Sequence, residues 1–423
     1  MIAVLLVALI IISTVTLYLR SAVQEMRYAE RTFALQQTVN LAEMGAEHAI
    51  WAINNDDWTS WTGVATDQYH ISYDANTGET VTVYADVRSS SEVWIASSGV
   101  VDVSGKGVEK QLLMKLEARG LFANGLTARE FLRFNGNNID IDSYNSENGV
   151  YDPVNNRGDQ GTVASASVAV NSVTIQNANI YGFVATTGGT PILGPNGTVT
   201  GSNTPAGVSV DQSRIATDFY AEFPDVTAPA TTGAASAPVS GTMGTAGTAT
   251  TYTASDLTIK SKDTITVEGD VTLVITDDLD IRGSIVINPN SSLTLYVNDD
   301  ISIAGNGVAN MSARPQNFLI YGTGDRNGFD PSYSLGGNAQ LQAAVYAPHA
   351  DITLNGGGSS GVFLGAAVGN NITFNGHVDF HYDESLKSFS PDSQFRLTEW
   401  RELTAAADRL PIESGSSMAA LSF

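Results

Sequence analysis

The first third of the hydrophobic pattern in this chain belongs to a single long helix. Residues 1–19 carry no charge, and as a helix they would extend about 28 Å, close to the hydrocarbon thickness of a bilayer. From Arg20 to Asn54 there is no proline, and apolar residues recur at helical intervals. The pattern predicts one helix over residues 1–56, whose first half needs lipid or a protein bundle around it. We expect the helix contacts of such an assembly to be made by Met1, Leu5, Leu9, Ile12, Leu19, Met26, Phe33, Leu41 and Met44.

Residues 57–119 change to a period of two. Runs such as 69–73 and 80–87 alternate apolar and polar positions and are separated by glycine and asparagine turns. This predicts a small β-sheet head that packs against the end of the helix.

Residues 120–386 consist of short apolar–polar–apolar triplets separated by Asn, Gly and Asp. Examples are Leu279-Asp280-Ile281 and Ile301-Ser302-Ile303, and the spacing suits coils of about 20–25 residues. A β-sandwich also has short strands, but the absence of clear two-residue hairpin turns favours a right-handed parallel β-helix, in which each coil stacks on the preceding one. The Ala/Thr/Gly-rich stretch 225–254 is expected to be an excursion from it, and 387–423 a C-terminal tail or cap. The fold class is therefore mostly β with one long N-terminal helix.

Composition narrows the possible functions. The formal charge of −23 argues against nucleic-acid binding, which requires basic patches. The chain has no cysteine, so disulfides and thiolate metal sites are excluded. With 43% hydrophobic residues and scattered acids, it has the composition of a folded acidic protein.

Two polar clusters could carry chemistry. On a strand, His377, Asp379, His381 and Asp383 would face one way and could bind a divalent metal, although closing a coil is the more ordinary role for them. Turns rich in aspartate could bind calcium, but their spacing fits no known calcium loop. These are Asp277, Asp278, Asp280, Asp299 and Asp300. Many β-helices act on polysaccharides, yet no acid pair at a defined spacing marks such a site, so we expect no enzyme and no cofactor.

The N-terminal helix resembles that of type IV pilins and pilus-assembly proteins with a PilX-type N-terminus. The resemblance lies in the apolar start and in the phrase Leu41-Ala42-Glu43-Met44-Gly45-Ala46-Glu47. It implies a helix that packs in the core of a filament and a methylated N-terminus. Most pilins carry glutamate at the fifth mature position, and if Met1 is the mature start this chain has Leu5 there.

A second resemblance covers residues 120–386. The phrases Phe380-His381-Tyr382-Asp383-Glu384-Ser385-Leu386, Ile141-Asp142-Ser143-Tyr144-Asn145-Ser146 and Tyr346-Ala347-Pro348-His349-Ala350-Asp351-Ile352 are similar to those of bacterial surface proteins. Together the resemblances imply a homopolymeric subunit of an extracellular filament that passes through the inner membrane and is added by pilus machinery. The alternatives are a minor tip pilin or adhesin, and a membrane-anchored surface β-helix protein.

Overall fold

The protein is mostly β-structure with one long N-terminal helix, as the sequence predicts. The computed structural model describes residues 2–55, 57–88, 92–118, 120–304, 307–324, 330–336, 340–356, 361–389, 395–405 and 407–412, with the backbone alone described at 2–8, 118, 137, 388 and 396. The chain divides into two compact units, one formed by residues 1–119 and 391–423 and the other by residues 120–390.

Helix α1 spans Ile2–Asn55 and is followed by strands that we number in chain order. The strands of the N-terminal half are β1 (Thr62–Ala65), β2 (Gln68–Asn76), β3 (Glu79–Asp86), β4 (Glu92–Val103), β5 (Lys106–Ala118), β6 (Leu126–Ala128), β7 (Leu132–Phe134), β8 (Asn137–Tyr144), β9 (Gly161–Ser165), β10 (Val173–Thr186), β11 (Ile192–Leu193), β12 (Thr198–Thr200) and β13 (Ile215–Ala216). Those that follow are β14 (Ala235–Ser236), β15 (Gly241–Ala254), β16 (Leu257–Ile259), β17 (Thr264–Ile275), β18 (Leu279–Ile281), β19 (Ser284–Ile287), β20 (Ser292–Val297), β21 (Ile301–Ile303), β22 (Gly307–Asn310), β23 (Phe318–Gly322), β24 (Ser332–Leu335), β25 (Leu341–Asn355), β26 (Gly361–Asn375), β27 (Val378–Asp383) and β28 (Phe395–Glu402). Short 3-10 helices lie at Ser146–Asn148, Gln212–Arg214, Pro315–Asn317 and Glu384–Ser388.

The first unit is an antiparallel sheet on which the C-terminal half of α1 packs. Its strand order is β1-β2-β3-β4-β5-β28. Alternation along the strands sends one set of side chains toward the helix, because successive residues face opposite sides of a sheet. This buried face includes Val81, Val83, Ile95, Leu112, Met114 and Leu116.

Small residues let the helix lie very close to the sheet. Ala42, Ala46, Ala49 and Ala52 are buried in this contact. A Cβ added at Gly45 would lie 2.6 Å from both the Ser97 hydroxyl and a Val81 methyl group. The LAEMGAE phrase thus positions the head on the helix.

Replacing Gly99 of β4 with valine is expected to destabilise the first unit by about 1–3 kcal/mol. A Cβ there would overlap the Thr38 carbonyl oxygen and the backbone nitrogen of Ala42, so the helix would have to move away from the sheet. Tryptophan fluorescence during thermal unfolding reports on this unit, because all five tryptophans lie within its residues. Gly63→Val on β1 is the matched control, since a Cβ at Gly63 meets nothing within 4 Å. Equal losses in the two variants would contradict close helix packing as the cause.

The C-terminal tail belongs to the first unit. The sequence analysis assigned 387–423 to a tail or cap, and a cap on the coils was its expected role. The structure instead pairs β28 with β5 in the head sheet, and Leu403 and Ile412 pack beside Tyr84 and Leu113 on the sheet face away from the helix. These apolar side chains are buried by the nearest exposed apolar sheet face. Residues 413–423 lie outside the described residues.

The second unit is a large sheet whose strands pair in parallel. Equivalent apolar positions line up from one strand to the next, and each pair is separated by a stretch of chain close to one sequence repeat. One such row of buried residues contains, in spatial order, Leu257, Leu279, Ile301, Tyr333, Ile352, Ile372, Leu132 and Val173.

The order of this row departs from the sequence-based prediction that each coil stacks on the preceding one. After Ile372 the next neighbour is Leu132, about 240 residues earlier in the chain. Strands β6 and β7 pair with β26, and β8 pairs with β27, so the first strands of the unit cover its last ones. The apolar edge left by β26 is thereby buried by the unit's own N-terminal strands. We call this contact, formed by residues 126–144 and 361–383, the joint.

The predicted excursion 225–254 is only partly outside the sheet. Residues 241–254 form β15, which pairs in parallel with β17, and Ala235–Ser236 pairs with β15 in turn. The preceding stretch is fixed by side chains: the Tyr346 hydroxyl donates to the Pro224 carbonyl, and His349 contacts Asp225 at 2.6 Å.

Candidate functional site

The exposed half of α1 is the first candidate site. Every side chain described from Leu9 to Phe33 is exposed. Leu9 is 66% exposed, Ile12 65% and Phe33 67%, although these are side chains that water disfavours. Contiguous apolar surface of this extent on a protein marks an interaction surface.

Most of the predicted contact residues lie on this surface, but one does not. Leu9, Ile12, Leu19, Met26, Phe33 and Met44 are exposed. Leu41 is buried against the head sheet beside Gly99, because its direction on the helix is that of the small residues that contact the sheet. Its assignment to the assembly surface was therefore wrong. Met1 lies outside the described residues, and the side chain of Leu5 is not described.

The sequence analysis also expected residues 1–19 to be able to cross a bilayer. Across the described part of the chain, we find no helix long and apolar enough to span a membrane.

The joint in the second unit is the second candidate site. Its two phrases, Ile141 to Ser146 and Phe380 to Leu386, were singled out from the sequence and lie side by side. Strands β8 and β27 pair in parallel with Phe380 beside Ile141 and His381 beside Asp142. Ile141 and Phe380 point into the core, so Asp142 and His381 share the outer face.

Asp142 is the centre of a polar network on that face. Its carboxylate lies 2.5 Å from Nδ1 of His381 and accepts hydrogen bonds from the Tyr151 hydroxyl at 2.8 Å and from Nε of Arg157 at 2.7 Å. The Tyr151 ring stacks on His381 with centroids 3.6 Å apart. Burial, helped by the nearby Asp142 charge, raises the pKa of Tyr151, which keeps its hydroxyl a hydrogen-bond donor. A cleft of about 430 Å³ opens beside these groups.

The four residues proposed as possible metal ligands have separate partners. His377 lies 3.3 Å from Asp379, and His381 faces Asp142. Asp383 accepts hydrogen bonds from the backbone nitrogens of Ser146 and Ser385, so it caps the 3-10 helix that ends the joint. Within the described ranges, no group of three or more His, Asp or Glu side chains is placed to hold a metal ion.

The aspartate-rich turns form hydrogen bonds between neighbouring coils. Asp278 accepts from the backbone nitrogen of Asp300, and Asp300 accepts from that of Ser332. Asp280 pairs with Arg282 at 2.6 Å. Burial raises the pKa of Asp299, and the charges of Asp277 and Asp278 add to it. These carboxylates therefore hold successive turns in register.

Replacing Asp142 with alanine is expected to destabilise the joint by about 2–4 kcal/mol, since it removes the shared acceptor of His381, Tyr151 and Arg157. Hydrogen exchange followed by mass spectrometry should show faster exchange at 138–146 and 378–386. Asp140→Ala is the matched control, because Asp140 lies two residues away on β8 and is exposed. Unchanged protection in Asp142→Ala would show that the network does not hold the joint together.

Sequence reasoning missed Tyr151 and Arg157. Both lie in an irregular stretch after β8, where no periodic pattern indicates a direction for a side chain. The signal that could have found them is the buried carboxylate itself, because an Asp on a strand beside an equally buried His requires further donors.

The comparisons with known proteins are as follows. A family model described as a domain of unknown function (DUF7305) matches residues 224–389. No curated protein matches the chain. Among solved structures, the chain is similar to the competence-associated pilin ComZ from Thermus thermophilus, with 12% identity and a TM-score of 0.28, over 87% of this chain and 97% of that one. A TM-score this low supports no conclusion, so function must be inferred from the residues of this chain.

Proposed function

We propose that this protein is a structural subunit of a type IV pilus-like extracellular filament. It polymerises through α1, and residues 120–390 form a right-handed parallel β-helix that the filament displays outward. The observation that carries the proposal is the exposed apolar surface of α1 from Leu9 to Phe33, beside a C-terminal half that is packed on a head sheet.

The division of α1 into two halves fits polymerisation. Side chains from Ala34 onward have partners within the chain, whereas those before it have none of comparable extent among the described residues. Burying one exposed Leu or Ile contributes about 1.5–3 kcal/mol. A bundle of such helices would supply this burial repeatedly, which is enough to hold subunits together in water.

The β-helix part of the proposal is supported by the parallel register. Eight buried positions follow one another across neighbouring strands, and parallel strands joined by crossovers are nearly always right-handed. Its acidic outer surface suits display in an aqueous medium. Before assembly the subunit would be held at the inner membrane and added to the filament by pilus machinery. No catalytic role or cofactor is part of the proposal.

The test is electron microscopy of filaments sheared from the native cells, with the subunit identified by mass spectrometry. Helical filaments in which this chain is the dominant protein would support the proposal. Filaments built from another protein, with this chain at trace level, would indicate a tip pilin or adhesin. Recovery of the chain only in membranes, without filaments, would contradict polymerisation and leave an anchored surface protein.

A further inference from the structure

The exposed surface of α1 carries two like-charged pairs of opposite sign. Arg27 and Arg31 are four residues apart, and so are Glu43 and Glu47. Like charges at this spacing are neighbours on one helix face and disfavour an isolated helix. All four side chains are exposed, and among the described residues none of them forms an ion pair. Each pair therefore lacks a counter-charge within its own chain.

The two pairs are related by one displacement. Arg27 precedes Glu43 by sixteen residues, and Arg31 precedes Glu47 by the same number. At 1.5 Å per residue this is about 24 Å along the helix axis, and at 3.6 residues per turn it is a rotation of about 160°. The arginines and the glutamates thus lie on nearly opposite faces of α1.

From this arrangement we propose that a second copy of the chain docks its helix parallel to the first, displaced by about 24 Å. The Glu43–Glu47 face of one copy then lies against the Arg27–Arg31 face of the next. The proposal rests on the proposed filament function and defines which faces meet. Because the two faces are opposite, the contact is head-to-tail, which propagates into an open filament.

Other exposed positions agree with the same displacement. It places Arg20 opposite Gln36 and Gln24 opposite Asn40, so that polar side chains face polar side chains along this contact. The antiparallel alternative would pair Arg27 with Glu47 and Arg31 with Glu43. It would satisfy the four charges but places Gln24 against Ile50, which is partly buried on the head.

Cysteine cross-linking in the full-length chain tests the displacement directly, because the native sequence has no cysteine. A chain carrying Arg27→Cys and Glu43→Cys is expected to give a ladder of covalent multimers on mild oxidation of its filaments. The cross-link cannot form within one chain, since the two positions are about 24 Å apart and a disulfide requires Cα atoms within about 7 Å. Glu25→Cys with Glu43→Cys is the matched control, because position 25 is two residues from Arg27 but on the opposite face, and it should give no ladder.

Charge exchange provides a second, independent readout. Reversing both arginines (Arg27→Glu, Arg31→Glu) is expected to lower filament yield at least tenfold, and adding Glu43→Arg and Glu47→Arg to the same chain should restore it. Tryptophan fluorescence should show the head folded in every variant.

Three outcomes would overturn the proposal, and they differ in what else they affect. Normal wild-type filaments with no ladder from the 27/43 pair, or with no rescue by charge exchange, would reject the displacement and leave the filament function intact. Stronger cross-linking of Arg27→Cys with Glu47→Cys would mean an antiparallel contact. Absence of wild-type filaments would reject this contact together with the proposed function.

Discussion

Removing residues 1–28 is expected to abolish polymerisation completely and to leave a soluble, folded protein. The deleted segment contains the exposed apolar side chains from Leu9 to Met26, while the packed half of α1 begins at Ala34. Size-exclusion chromatography with light scattering should find a monomer, and the tryptophan unfolding transition should match that of the full-length chain. Polymers formed by the truncated chain would show that assembly depends on another surface.

A single substitution separates lost helix contacts from general effects of truncation. Ile12→Glu places a charge within the apolar surface and is expected to prevent filament formation, because a buried carboxylate without a partner costs several kcal/mol. Val150→Glu is the matched control: Val150 is 64% exposed, almost the same as Ile12, but lies in the second unit. Loss of filaments in both variants would indicate that any added acidic charge is harmful.

The sequence predicted elements well where a pattern acts locally. The helix period from Arg20 to Asn54 predicted α1, and period-two runs predicted the head strands, because each pattern reflects which side of one element faces the core. Triplets such as Leu279-Asp280-Ile281 likewise predicted short strands with two buried residues and one outward.

What the pattern could not predict is which distant elements meet. The triplet at Leu132 is apolar in the same way as that at Val173, and nothing in it indicates that its other neighbour is Ile372. The pairing is decided by the burial of an exposed sheet edge, which depends on the whole unit. For the same reason β28 could be expected as a strand but not placed on β5.

The candidate sites were predicted unequally. The assembly surface could be anticipated because exposed apolar residues on a helix are visible in the sequence, but Leu41 was misassigned since its burial depends on the head that packs there. At the joint, His381 was identified while its partner Asp142 was seen only as part of a phrase. The 2.5 Å contact between them joins positions about 240 residues apart, and neither sequence spacing nor composition carries that information.

The second prediction with a large effect concerns the apolar core of this joint. Phe374→Ala is expected to destabilise the second unit by about 3–5 kcal/mol, the range for removing a buried aromatic side chain. The Phe374 ring lies 4.7 Å from that of Phe134 and meets Phe380 edge-on at 6.5 Å. The substitution therefore opens a cavity between strands from the two ends of the unit, and residues 126–134 should lose protection from hydrogen exchange together with 361–375. Unfolding can be followed by proteolysis in urea, because no tryptophan lies in this unit. Thr373→Ala on the same strand, with its side chain on the outer face, is the control and should cost less than about 1 kcal/mol. If protection were lost at 361–375 alone, the first strands of the unit would be stable without the last, and the joint would not couple the two ends.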